Sequence, residues 1–395
     1  MKHFIFLILL VSLFSGCSFF GEKNKVSDYI DKPDYSLKSV EYVPILPNIG
    51  NNITPVSLYL GYDELLYVVD SAKSILSFDA AGNQLGRLDI PGVTFVIQNR
   101  SLDLYALGRK DTNFNNLMYN LPVIYKISQK LSGIEGGVSQ RLDLSSAKII
   151  KTFIYPWCIN QPNKLNEKSE IEKVFFGSIG FMDNNSYYIT SNGPVEKLSF
   201  ITKRSSVLTF DNKDIFQGGF FEGDIAPLGL TTLIQPPQRA RMEAKRDFIY
   251  TSQTSDLGIS VRYMEVLVDA DLGLTTNFKP LSIPSPAEAD GSLYETFRFK
   301  KPQAVLYGGT SQKLIFVADS EKDSIYVFQE NGYEGVNPPP QYTNRKLINV
   351  SFGGRGNGPT QFKKPMAVAF FNRVLYVADA GNKRISRFIL TSDYE

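Results

Sequence analysis

Lys364-Pro365-Met366-Ala367-Val368, then Val374-Leu375-Tyr376-Val377-Ala378-Asp379, then Arg384-Ile385-Ser386-Arg387-Phe388: this stretch decides the fold, because the chain contains it more than once. Lys301-Pro302-Gln303-Ala304-Val305 leads in the same way to Leu314-Ile315-Phe316-Val317-Ala318-Asp319 and on to Ser324-Ile325-Tyr326-Val327-Phe328. In both copies an Ile stands six residues after the Asp and a Phe nine after it. A looser copy begins at Pro55, continues through Leu65-Leu66-Tyr67-Val68-Val69-Asp70 and ends on Ile75 and Phe78, with a turn one residue shorter. Short runs of Val, Ile, Tyr and Phe separated by Gly, Asn, Asp and Pro are strand signals. Their return at intervals is the mark of a repeat architecture.

Each unit makes physical sense as one blade of a β-propeller. The run after the proline is the inner strand, the run ending in Asp the second, and the Ile-to-Phe run the third. A stretch of the kind Gln84-Leu85-Gly86-Arg87-Leu88 is the outer strand. The carboxylates of Asp70, Asp319 and Asp379 then have a structural turn role, accepting backbone N–H bonds from the residues that follow. Leu104-Tyr105-Ala106-Leu107, Tyr187-Tyr188-Ile189-Thr190-Ser191 and Phe248-Ile249-Tyr250-Thr251-Ser252 supply second strands for three more blades, and the total is six. The interval from Tyr105 to Tyr188 has room for a seventh, but residues 110 to 122 and 160 to 172 read as polar insertions. The expected fold is therefore all-β, six four-stranded antiparallel blades. The last unit lacks an outer strand before the chain stops, and Leu37 to Val43 alternates as a half-buried strand should. That N-terminal strand is expected to close the ring, because an uncovered sheet edge is a liability.

The units resemble NHL repeats, most closely from Phe352-Gly353-Gly354-Arg355-Gly356-Asn357-Gly358 to Phe388. Phe362, Pro365, Asp379, Asn382, Arg384 and Ile385 occupy the positions that this family uses for its glycine-rich connection, second strand and following turn. Around Asp319 the match departs, with Asp323 and Ser324 in place of Asn and Arg. The resemblance implies a propeller and fades across residues 130 to 290. Peptide-amidating lyases that share the fold rely on histidine metal ligands, which this chain does not offer.

The N-terminus reads as an export signal. Phe4 to Phe14 is apolar but for Ser12, eleven residues in all, where crossing a bilayer takes about twenty. Phe14-Ser15-Gly16-Cys17 resembles the lipobox of bacterial lipoproteins, with Phe14 where that family most often has Leu. The resemblance implies cleavage before Cys17 and lipidation of its sulfur; an ordinary signal peptide with an incidental cysteine is the alternative. The resulting division is 1–16 signal peptide, 17–36 lipidated cysteine and flexible tether, and 37–395 propeller. Several acyl chains on one residue give a stable hold, so the expected partner at Cys17 is membrane lipid. Ser18 is not the Asp that hints at inner-membrane retention, which favours the outer membrane of the bacterial cell envelope.

Composition narrows the chemistry. Without residues 1–16 the chain has 41 basic and 40 acidic residues and no histidine, His3 being the only one. A near-zero charge argues against nucleic acid as partner. Nucleophile systems that need His, and His-ligated zinc, copper or iron, cannot be assembled. With Cys17 lipidated, Cys158 has no disulfide partner and reads as a small buried hydrophobe. The glycines at 353, 354, 356 and 358 are followed by Pro359 rather than Lys-Ser or Lys-Thr, so they form a blade connection rather than a phosphate loop. Asp183-Asn184-Asn185 reads as a hairpin turn. Arg239, Arg241, Lys245 and Arg246 form a dense basic cluster that reads as a solvated face, or else as a surface contact for an acidic partner. Val336-Asn337-Pro338-Pro339-Pro340 reads as a stiff connection, with a recognition segment as the alternative.

Lack of histidine and of convergent acids favours a binding or scaffold propeller that presents one face to a protein, glycan or envelope component. It sets the expectation that the chain is not an enzyme and has no cofactor and no metal. The alternative is a carboxylate- or calcium-dependent hydrolase or lactonase in the central channel. On the lipid, detergent phase partitioning of wild type against Cys17→Ala is expected to move the protein from the detergent to the aqueous phase; equal recovery in detergent overturns it.

Overall fold

In a computed structural model the described residues run from 39 to 393, apart from segments 130–142, 156–167, 194–205, 221–225, 235–245, 254–257, 270–272, 280–284 and 310–312 and positions 51, 72, 115, 341 and 343. Cys17, the signal run and tether, Cys158, Arg239, Arg241 and Lys245 lie outside them.

A first strand, β1 (Tyr42–Ile49), precedes the blades. Blade 1 is β2 (Pro55–Leu60), β3 (Leu66–Asp70), β4 (Ser74–Phe78) and β5 (Gln84–Asp89); blade 2 is β6 (Phe95–Gln98), β7 (Leu104–Phe114), β8 (Leu117–Ser128) and β9 (Lys148–Ile154). After a short helix α1 (Lys168–Ile171), blade 3 is β10 (Phe175–Phe181), β11 (Tyr187–Asn192), β12 (Ser206–Phe210) and β13 (Phe216–Phe220). Blade 4 is β14 (Pro227–Thr232), β15 (Phe248–Ser252), β16 (Val261–Asp269) and β17 (Gly273–Phe278), and blade 5 is β18 (Pro302–Tyr307), β19 (Leu314–Asp319), β20 (Ser324–Gln329) and β21 (Phe352–Gly353). Blade 6 is β22 (Pro365–Phe371), β23 (Val374–Asp379) and β24 (Arg384–Leu390), and its outer strand is β1. All pairings within the six four-stranded sheets are antiparallel. The expected six-bladed propeller is the observed fold.

Burial explains why the second strands read as continuous apolar runs instead of alternating. Every residue of β19 is buried, as are five of the six in β23, because each sits between two neighbouring blades and has no solvent face. Outer strand β5 has only Gly86 buried. Each adjacent pair of blades shares one apolar cluster. Blades 6 and 1, for instance, pack Ala367, Ala369 and Tyr376 against Leu58, Leu60 and Val68. Blades 5 and 6 pack Phe316 and Val327 against Val368 and Phe370.

The ring closes through β1 as expected, with the strand shifted along the chain: it spans Tyr42–Ile49, shares Tyr42 and Val43 with the expected 37–43, and pairs Tyr42 with Leu390, Val43 with Ile389, Pro44 with Phe388 and Ile45 with Arg387. Pro44 and Pro47 mask this in the sequence; on an outer edge the missing N–H faces away from the ladder and costs nothing. Val40 and Tyr42 join the cluster between blades 5 and 6, while Ile49 joins the cluster between blades 6 and 1. One strand therefore fastens both sides of the last blade.

A second correction concerns residues 110 to 122, which form no insertion. They extend β7 and β8 into a long hairpin, paired from Leu104 with Ile127 to Phe114 with Leu117. The expectation for 160 to 167 falls outside the described residues. Asn337 to Pro340 lies between the bridged residues Val336 and Ile348, in a segment that precedes the two-residue β21.

Every inner strand begins at the same end of the ring. That end carries the crossings between blades and the turns from second to third strands, and is called the connector face here. The opposite end carries the tight hairpins and is called the hairpin face.

Candidate functional site

The inner strands β2, β6, β10, β14, β18 and β22 surround a central channel of about 440 Å³. Each turns one unpaired backbone edge toward it, which raises the question of where those N–H and C=O groups go. On one side neighbouring blades answer it with hydroxyls. Thr190 donates to the Leu228 carbonyl at 2.6 Å and accepts the Ser178 N–H at 2.8 Å; Ser178 donates to the Leu230 carbonyl at 3.1 Å. Thr232 donates to the Phe181 carbonyl at 2.6 Å, and Thr251 accepts the Gly229 N–H at 2.9 Å. Two glycines permit this closeness. A Cβ on Gly177 would stand 2.5 Å from the Leu228 carbonyl oxygen, and one on Gly229 2.8 Å from the Ala304 Cα.

Elsewhere side chains line the space. Val56, Tyr59, Phe95, Leu306 and Met366 are half-buried and face it, and Phe175 is exposed at the connector mouth. Arg109 is the one charged residue among the described lining. Its guanidinium is committed: it donates to the Val174 carbonyl at 2.6 Å, to the Glu172 carbonyl at 2.7 Å and to Asn120, which ties the long hairpin of blade 2 to the crossing into blade 3. The lumen is apolar, and no carboxylate lines it among the described residues. Nor is there, among those residues, any group of three or more His, Cys, Asp or Glu able to hold one metal ion.

At the connector face stand the three repeat aspartates. Asp70 accepts the Thr54 N–H at 2.7 Å. Asp319, fully buried, accepts N–H bonds from Lys300 at 2.6 Å and from Lys301, Glu321 and Lys322 at 3.0 Å. Asp379, also fully buried, accepts the Lys363 N–H at 2.8 Å, the Asn382 amide at 2.7 Å and the Arg384 Nε at 2.9 Å. Burial pushes the Asp379 carboxyl above its usual range, while those three donors pull it down. The carboxylates thus reach back to the residues before the inner strand, a contact the local turn reading missed. Arg384 continues to the carbonyls of Gly358 and Gln361, at 2.8 and 2.9 Å, so the glycine cluster is held as a blade connection.

At the hairpin face tyrosines and acids bridge the blades. Tyr67 donates to Asp63 at 2.6 Å and accepts from Gln129 at 2.9 Å, and Gln98 donates to Asp63 at 2.8 Å. Tyr105 donates to Asp214 at 2.7 Å, Tyr187 donates to the same oxygen at 3.3 Å, and Lys126 pairs with its other oxygen at 3.2 Å. Burial, then the neighbouring acid, pushes the Tyr67 and Tyr105 phenols far above their usual range, so they remain donors. Asp183 to Asn185 is a turn of this face: Asn185 has φ 64° and accepts the Arg100 N–H at 3.0 Å. Arg246, the one described member of the basic cluster, is exposed, and its carbonyl accepts the Tyr188 phenol at 3.0 Å.

No protein-family model and no curated protein matches the sequence. Solved structures do. A luciferin-regenerating enzyme is 12% identical with a TM-score of 0.52, covering 88% of this chain and 95% of its own. An auxiliary nutrient binding protein from Bacteroides ovatus is 10% identical with a TM-score of 0.50, covering 89% and 77%. Virginiamycin B lyase from Staphylococcus aureus is 9% identical with a TM-score of 0.43, covering 89% and 99%. At such identities the likeness is one of β-propeller fold. It corrects the expectation that the chain is not an enzyme: proteins of this fold include catalysts, so a missing histidine does not settle the matter.

The hydrogen bonds of the repeat aspartates rank their importance. Asp379→Ala strands a buried N–H, an amide and a guanidinium and is expected to cost roughly 3 kcal/mol of stability, whereas Asp70→Ala loses one described bond and is expected to cost about 1 kcal/mol. Urea unfolding at constant slope checks the order, and equal costs contradict it.

Proposed function

We propose that this chain is a lipid-anchored propeller of the bacterial cell envelope, built on NHL-like repeats, that takes a small apolar ligand into its central channel. The anchoring part rests on Phe4 to Phe14 and on Ser15-Gly16-Cys17. The observation that carries the binding part is the lumen itself. About 440 Å³ is within the range of a small-molecule site, and walls of Val56, Leu306, Phe95 and Met366 offer apolar contact to a ligand that leaves water. The walls belong to six inner strands, each paired in its own blade and packed against its neighbours, so the site is formed before a ligand arrives and little ordering is needed on binding.

The test is saturable binding of N-phenyl-1-naphthylamine, a neutral dye that brightens in apolar surroundings. One site per chain is expected. Met366→Glu places a carboxylate in the half-buried wall and is expected to weaken the dye at least about tenfold while the thermal melting curve stays in place. Dye binding unchanged in Met366→Glu and in Val56→Glu contradicts the channel as the site.

A further inference from the structure

The residues immediately before the six inner strands ring the connector mouth of the channel: Thr54, Thr94, Val174, Ala226, Lys301 and Lys364. None is acidic and two are lysines. Lys363, next to Lys364 and half-buried, adds a third cation.

The nearby carboxylates are already engaged. Asp319 and Asp379 are buried and spent on the bonds described above. Asp323 accepts the Lys364 N–H at 2.6 Å, and Glu321 pairs with Lys300 at 3.2 Å. Among the described residues no carboxylate lies within ion-pair distance of the ammonium of Lys301, Lys363 or Lys364. At the opposite mouth Tyr62 lines the lumen between Arg100 and Asp183, and the Asp63 carboxylate beside it accepts from Tyr67 and Gln98. The connector end therefore carries lysines with no carboxylate partner among the described residues, while the one charged residue of the described lining, Arg109, is already committed to backbone carbonyls and Asn120.

We infer that the ligand is a single-chain amphiphile with an anionic head, its alkyl chain in the lumen beside Val56, Leu306 and Met366 and its carboxylate or phosphate at Lys301 and Lys364. The inference rests on the channel-binding reading and adds the head group and the direction of entry. An inner strand of six residues such as β18 spans about 20 Å, so the lumen is elongated, as an alkyl chain requires. A neutral hydrocarbon gains nothing from the lysines, and an alkylammonium is repelled by them. An anion regains at the mouth the hydrogen bonds that its head gave up in leaving water.

The chain from Ser18 onward, which keeps every strand and core residue of the propeller, is titrated calorimetrically with four ligands of equal chain length below their micelle concentrations. These are dodecanoate, dodecyl phosphate, dodecanol and dodecyltrimethylammonium. At least one of the two anions is expected to bind about tenfold tighter than the alcohol, with the ammonium weakest. The preferred anion tells whether the natural single-chain ligand carries a carboxylate, as a free fatty acid does, or a phosphate. Lys301→Gln combined with Lys364→Gln is expected to bring the anions down to the affinity of the alcohol and to leave the alcohol unchanged, which also shows that the variant is folded. Equal affinity for all four ligands, or anion binding indifferent to the double substitution, overturns the head-group assignment and leaves the channel reading standing. No binding of any of the four defeats the channel reading itself.

Discussion

The antiparallel pairing of β1 with β24 is the constraint on which the other features depend. A ring of blades has no covalent link between its last member and its first, and each blade is apolar on both faces. An unclosed ring would leave two such faces and one sheet edge in water. Here the first strand of the chain completes the last blade, and its ends are shared out. Tyr42 stacks on Phe352 at 5.4 Å between ring centroids and meets Phe316 edge-on at 6.3 Å, while Ile49 is buried on the side of blade 1. Threonine 391 completes the hold, donating its backbone N–H to the Glu41 carbonyl at 2.9 Å.

Closure makes the channel. Six inner strands held in a ring leave a lumen whose width is set by how nearly their backbones touch. Between blades 3, 4 and 5 glycine lets them touch and hydroxyls serve the free backbone groups. On the other side larger side chains, Val56, Tyr59, Phe95 and Met366 among them, line the space. The two faces divide the remaining work. Buried aspartates tie second strands to the entry of inner strands at the connector face, and tyrosine–carboxylate pairs tie neighbouring blades at the hairpin face.

Much of this was legible in the sequence where the repeat is strict. Pro302 and Pro365, the runs ending in Asp319 and Asp379, and the Ile and Phe that follow revealed strand order and the need for a closing strand, and the runs at Tyr105, Tyr187 and Phe248 completed the blade count. Legibility fell where local chemistry changed. Blades 2 and 3 start their inner strands with Phe95 and Phe175 instead of proline and carry no Asp at the end of the second strand; blade 2 has a long hairpin held by Arg109 in its place. Prolines 44 and 47 hid the true extent of β1. The site was hardest to see. Channel-facing residues such as Val56 and Leu306 have the same composition as core residues, and only the closed ring separates them. The pairs Tyr67–Gln129 and Tyr105–Asp214 join residues 62 and 109 positions apart, so each partner reads alone as a strand or turn residue.

Closure by β1 is testable without any ligand. Removing it takes Tyr42 and Ile49 from two interblade clusters and opens the edge of β24, a loss on the order of 5 kcal/mol from the apolar burial alone, comparable with the whole stability of many domains. The direct measurement is thermal unfolding, followed by circular dichroism, of a chain beginning at Ser39 and one beginning at Gly50. The account predicts that the first melts cooperatively at the temperature of the longer protein and that the second melts far lower or does not fold. Equal melting temperatures for the two would contradict it.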